Sequence, residues 1–112
     1  MVKPYVPDRG DLVWLNFTPH AGHEQAGHRP ALVLSPASYN AKTGLMLCCP
    51  VTSRVKGYPF EVAIGADSGL QGAVLSDPVK SVDWQARKAR KAGQCDPGAT
   101  ARVLSLIQAL LE

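Results

Sequence analysis

The sequence predicts a mainly β protein, a small, strongly bent antiparallel sheet or barrel closed by one C-terminal α-helix. Three observations predict it. Short apolar or alternating runs recur along the 112 residues, Gly and Pro punctuate them, and helical three- and four-residue periodicity is confined to the end of the chain. A chain of this length holds one core, so a single domain over residues 1–112 is expected. Its 46% hydrophobic and 19% charged residues are ordinary for a folded protein. No apolar run approaches the roughly 20 residues of a membrane span. Lys3, Pro4 and Asp8 interrupt the start and no apolar segment follows, so no signal peptide and a cytoplasmic location are expected. Cys48, Cys49 and Cys95 agree, because an odd count with two adjacent residues fits neither a disulfide framework nor a Cys-x-x-Cys metal pair.

Taken in order, Met1 to Arg9 is a lead-in that Pro4 and Pro7 keep irregular. Asp11 to Phe17 sets Leu12 and Trp14 against Val13 and Leu15, a strand apolar on much of both faces, in which Trp14 is expected in the core. Thr18 to His28 reads as a loop whose His20 and His23 are solvent-exposed, and Pro30 to Leu34 as a buried strand. Ser35 to Gly44 is a polar connection holding one helical turn. Leu45 to Thr52 is a central strand in which Cys48 and Cys49 point to opposite faces. Ser53 to Gly57 is a basic turn, Tyr58 to Ile64 a strand with Pro59 at its start, and Gly65 to Gln71 a turn before a short strand to Leu75. Asp77-Pro78 turns the chain and Val79 to Val82 is extended. Asp96 caps and Pro97 opens the final helix, whose stripe is Val103, Leu104, Ile107, Leu110 and Leu111. By composition Ala86 to Cys95 suits a helix, since Ala, Lys and Arg are good helix formers.

The stretch around which function is organised is Glu24 to Pro30. Gly27 frees the backbone, Pro30 biases Arg29 toward extended geometry, and a carboxylate, an imidazole and a guanidinium fall within a few residues at a strand's mouth. A cluster of this kind handles anions. Together with Gly10-Asp11-Leu12-Val13-Trp14, Thr52-Ser53-Arg54, Lys56-Gly57-Tyr58-Pro59-Phe60-Glu61-Val62 and Asp77-Pro78-Val79-Lys80-Ser81, it resembles the MazF/PemK family of toxin endoribonucleases over the first three quarters of the chain. The resemblance implies an SH3-like barrel (CcdB/PemK-like), a homodimer, and an exposed strand rather than a helix over Ala86 to Cys95. Pro78 stands where the family more often has Gln.

Three histidines share one loop without the usual metal-ligand spacing, and neither a phosphate-binding glycine loop nor a nucleophile elbow is present, so no metal and no cofactor are expected. Phosphodiester chemistry by a ribose 2′-hydroxyl needs only charge stabilisation, alignment and proton transfer. Arg29 suits the gripping of phosphate oxygens, and Thr52 offers a hydroxyl at a strand end; the resemblance makes these two the catalytic pair. A guanidinium is always protonated and so makes a poor base, which leaves His28 and Glu24 to move a proton. The structural alternatives are that Glu24 pairs with a cation and His28 caps the strand. Arg54 and Lys56 suit phosphates and Tyr58 a stacked base, with Phe17 a further candidate face; the resemblance adds Asp77 and Lys80 to the RNA-binding set. Arg87 to Lys91 reads as a solvated edge that discourages aggregation.

The expected activity is metal-independent cleavage of single-stranded RNA at a short motif, restrained by a cognate acidic MazE-like antitoxin, with no membrane partner. Two alternatives carry weight: a non-catalytic CcdB-like toxin that poisons DNA gyrase by contact, and a non-enzymatic RNA-binding scaffold.

Overall fold

The computed structural model describes residues 4–16 and 28–112; Phe17, His20, His23, Glu24 and Gly27 lie outside them. The elements are β1 (Asp11–Asn16), β2 (His28–Val33), α1 (Ala37–Thr43), β3 (Leu45–Thr52), β4 (Glu61–Ala63), β5 (Ala73–Leu75), β6 (Lys80–Asp83), β7 (Arg90–Gln94) and α2 (Pro97–Leu110). All pairings are antiparallel, in the order β4-β5-β3-β2-β1-β7, with β6 also on β3. This is the curled, mainly β sheet with a C-terminal helix that the sequence predicts.

The central strands β1, β2 and β3 carry buried residues on both faces, and adjacent residues divide between them. Leu12, Leu32, Cys49, Val51 and Val74 pack on one face with Ala99 and Val103 of α2. Val13, Leu15, Ala31, Val33, Met46 and Cys48 pack on the other beneath Trp84, Tyr5 and Val6. Cys48 and Cys49 thus both serve as small core residues, one on each face. Asn40 of α1 ties the second layer down. Its Nδ2 donates to Pro7 O (2.7 Å) and Ser35 O (3.0 Å), its Oδ1 accepts from Ser35 Oγ, and its carbonyl accepts from Trp84 Nε1 at 2.9 Å.

Several boundaries differ from the sequence reading. β2 starts at His28 rather than Pro30, because β1 continues to Asn16 and gives His28 and Arg29 partners. The connection before β3 holds a seven-residue helix rather than one turn, closed by Gly44 at φ 74°. The strand expected over Tyr58 to Ile64 shrinks to β4, since Glu61 N donates to Tyr58 O (2.9 Å) and curls the preceding residues into a turn. β7 is the expected exposed edge strand, but it starts only at Arg90, after a turn in which Lys88 takes φ 52°. Asp96 caps α2 as expected, accepting from Ala99 N at 3.2 Å. The apolar stripe stops short, with Val103 buried and Leu104 and Ile107 packed on the core, while Leu110 (50%) and Leu111 (81%) stand exposed beyond the sheet. Among the described residues no helix is long and apolar enough to cross a membrane.

Candidate active site

One end of the sheet, where β1 and β3 finish and β2 begins, opens into a groove of about 880 Å³ whose lining includes Arg29, Thr52, Arg54, Lys80, Trp14 and Cys48. Register explains the convergence. Ala31 pairs with Pro50, and Arg29 and Thr52, each two positions further along its strand, share their face and both line the groove. Arg29 pairs with Leu15, and Lys80 with Cys48, on that same face. The apolar layer under Trp84 therefore gives way, at the sheet's end, to cations and a hydroxyl. Trp14 is not a core residue as expected; it is half-buried, paired with Pro30, and lines the groove.

Thr52 is held in a defined orientation. Its Oγ1 accepts from the Arg54 backbone N–H at 3.1 Å, which leaves its own proton to donate elsewhere. Its backbone is packed against Gly72, at φ +123°, where a Cβ would lie 2.1 Å from Thr52 O. Only glycine permits that approach. His28 lies at the start of β2 and is exposed, and its Nδ1 is 3.1 Å from Arg90 Nη2. A guanidinium only donates, so Nδ1 is the acceptor and the neutral ring carries its hydrogen on Nε2.

Lys56 and Tyr58, in the turn between β3 and β4, and Asp77, between β5 and β6, sit outside the groove lining. Tyr58 Oη donates to Asp77 Oδ2 at 2.6 Å, its ring is tilted against Phe60 with centroids 5.7 Å apart, and that hydrogen bond is the main reason its phenol is held above the ordinary range. Asp77 thus contacts Tyr58 directly. Glu61 accepts from three consecutive backbone N–H groups, those of Lys56, Gly57 and Tyr58. Burial pushes the Cys48 thiol up to about 11 against the pull of Lys80, so it is neutral near pH 7 and unsuited to act as a thiolate. Among the described residues no three His, Cys, Asp or Glu side chains gather as a metal site. The sequence places Glu61 only inside the Lys56-to-Val62 motif and Arg90 only in a solvated basic run; the reach of Glu61 back to the turn, the contact of Arg90 with His28 and the approach of Gly72 to Thr52 are set by the folded chain.

Residues 8–111 match the family described as PemK-like, MazF-like toxin of type II toxin-antitoxin system. The chain is 50% identical over 111 residues to the endoribonuclease toxin MazF of Escherichia coli K12, covering 99% of both chains. It superposes on the crystal structure of MazF from Deinococcus radiodurans with a TM-score of 0.86 at 57% identity, covering 96% of this chain and 98% of that one. A MazE-MazF crystal structure from the same organism gives 0.88 at 55% identity, covering 96% and 97%.

Proposed function

The chain belongs to the PemK-like, MazF-like toxin family of type II toxin-antitoxin systems, and on that premise we propose that it is an endoribonuclease cutting single-stranded RNA by attack of the ribose 2′-hydroxyl, without metal. The gyrase-poison alternative is overturned, since a relative at 50% identity over nearly the whole chain is an endoribonuclease. The observation that carries the mechanism is the placement of Arg29, Thr52 and Arg54 along one groove.

In the reaction O2′ bonds to phosphorus as the P–O5′ bond breaks, giving a 2′,3′-cyclic phosphate and a 5′-hydroxyl. Arg29 grips the nonbridging oxygens as their charge grows, Thr52 donates to one of them the hydrogen bond that its contact with Arg54 N–H leaves available, and the departing O5′ takes its proton from water. His28, oriented by Arg90, offers Nε2–H as a hydrogen-bond donor. Glu24, two positions before Ala26 in the same stretch, supplies a carboxylate to take the 2′-hydroxyl proton. Arg54, Lys56, Tyr58 and Lys80 extend the RNA contact beyond the scissile phosphate, with Asp77 holding Tyr58. The protein acts in the cytoplasm, as a homodimer of one-domain subunits, and is restrained by an acidic cognate antitoxin, a reading that the MazE-MazF structure from Deinococcus radiodurans supports by pairing a similar chain with a protein partner.

The test is cleavage of a single-stranded RNA by purified protein in EDTA. A cyclic or 3′-phosphate and a 5′-hydroxyl are expected, and deoxyribose at the cleaved nucleotide abolishes the cut. Cutting that persists at that deoxyribose, or that requires added metal, sinks the mechanism.

A further inference from the structure

The turn between β3 and β4 carries Lys56 and Tyr58, yet its conformation is imposed from outside by a carboxylate. Glu61 Oε1 accepts from Gly57 N at 2.8 Å and from Lys56 N and Tyr58 N at 3.1 Å, while Oε2 lies 3.1 Å from Lys56 N. The Glu61 N–H returns to Tyr58 O at 2.9 Å, so the turn closes in both directions. Gly57 at φ +76° supplies the backbone angle that lets consecutive N–H groups converge, and no heavy atom lies within 4 Å of where its Cβ would be. At the far end the Tyr58 hydroxyl is anchored on Asp77 at 2.6 Å.

A carboxylate beside a polyanion's path is electrostatically unfavourable to binding, so its presence calls for an offsetting role. From this geometry we infer that Glu61 is a positioning residue for RNA: its carboxylate preassembles the Lys56–Tyr58 turn, so that the Lys56 ammonium and the Tyr58 ring meet RNA without first being ordered. The inference rests on the RNA-cleaving function proposed above. Its logic is that of preorganisation, in which a loop fixed before binding loses no further entropy on contact.

The two accounts of Glu61 predict opposite signs. As a mere negative charge, its removal tightens RNA binding; as the holder of the turn, its removal weakens it. The experiment measures binding of a single-stranded RNA blocked by deoxyribose at the cleaved position, with wild type, Glu61→Ala, Glu61→Gln and Gly57→Ala. Loss of the charge-assisted bonds in Glu61→Ala weakens binding about tenfold. Glu61→Gln keeps Oε1, which accepts all three N–H groups, but sets an NH2 against the Lys56 N–H in place of Oε2, so it weakens binding by about threefold, less than Glu61→Ala does. Gly57→Ala, which meets no steric obstacle and disturbs only the backbone angle, weakens binding as Glu61→Ala does and keeps the test available if that variant fails to fold. Amide exchange gives a readout without RNA: the Lys56, Gly57 and Tyr58 N–H groups are protected in wild type and Glu61→Gln and exposed in Glu61→Ala. Binding by Glu61→Ala equal to or tighter than wild type overturns the inference, as does unprotected exchange of these amides in wild type or equal weakening by Glu61→Gln. A wild-type protein that does not bind or cut RNA refutes instead the function on which the inference stands.

Discussion

Arg29 and Thr52 reach the groove from neighbouring strands, so their backbones are set by the sheet before any substrate arrives. Contacts made in the transition state govern rate, whereas phosphate contacts away from the cut govern affinity. Arg29→Ala or Thr52→Ala should therefore lower cleavage by at least about a hundredfold while leaving binding of a deoxy-blocked RNA nearly intact. Arg54→Ala or Lys56→Ala should weaken binding and reduce the slope of log affinity against log salt by roughly 0.7 per lost contact. Filter binding and single-turnover kinetics separate the two sets, and an Arg29→Ala protein with unchanged turnover and weaker binding would overturn the assignment. The sequence made Arg29, Thr52 and Arg54 legible as candidates because each carries its chemistry in its own side chain. It did not reveal Arg90 beside His28, since that contact joins residues 62 positions apart, nor Gly72, whose importance is that a Cβ there would strike Thr52 O.

At the scale of elements, local rules worked where local forces decide. The Leu45 to Thr52 run is read correctly from its apolar continuity, and α2 from the Asp96-Pro97 start, because strand burial and helix capping are written in adjacent residues. They failed where a distant partner decides. β2 begins two residues earlier than Pro30 because β1 pairs with His28 and Arg29, whereas the strand around Tyr58 is shortened by a local contact that periodicity does not register, the Glu61 N–H donating to Tyr58 O. Periodicity also overreached at the end of α2, since it cannot tell where the sheet beneath a helix stops. The stability consequence is direct. Val103→Ala, at a fully buried site, should cost about 1–3 kcal/mol, whereas Leu111→Ala, 81% exposed, should change stability by less than about 0.5 kcal/mol. Urea denaturation of the two variants checks this, and comparable losses would mean that the end of α2 is covered in solution.

For the molecule as a whole, a formal net charge of +3 is modest, and what matters is where the positive charge lies. Arg29, Arg54 and Lys80 line the groove, Lys56 stands in the adjoining turn, and Arg90 and Lys91 lie on the edge strand β7, with Lys91 3.6 Å from Asp11. An acidic antitoxin segment laid across these groups would occupy the path proposed for RNA phosphates. Such a segment must lose chain entropy as it orders, so charge alone does not hold it tightly and apolar contacts along the groove, such as Trp14 and Leu70, must contribute. Two signatures follow. Inhibition should be competitive, raising the RNA concentration needed for half-maximal rate without lowering the maximal rate, and added salt should weaken it only partly, because screening removes the charged share and leaves the apolar one. Titrating an acidic antitoxin tail against RNA cleavage at low and high ionic strength measures both. A tail that lowered the maximal rate while RNA affinity held constant would show that it acts away from the groove, and complete loss of inhibition in salt would show that the apolar contacts contribute nothing.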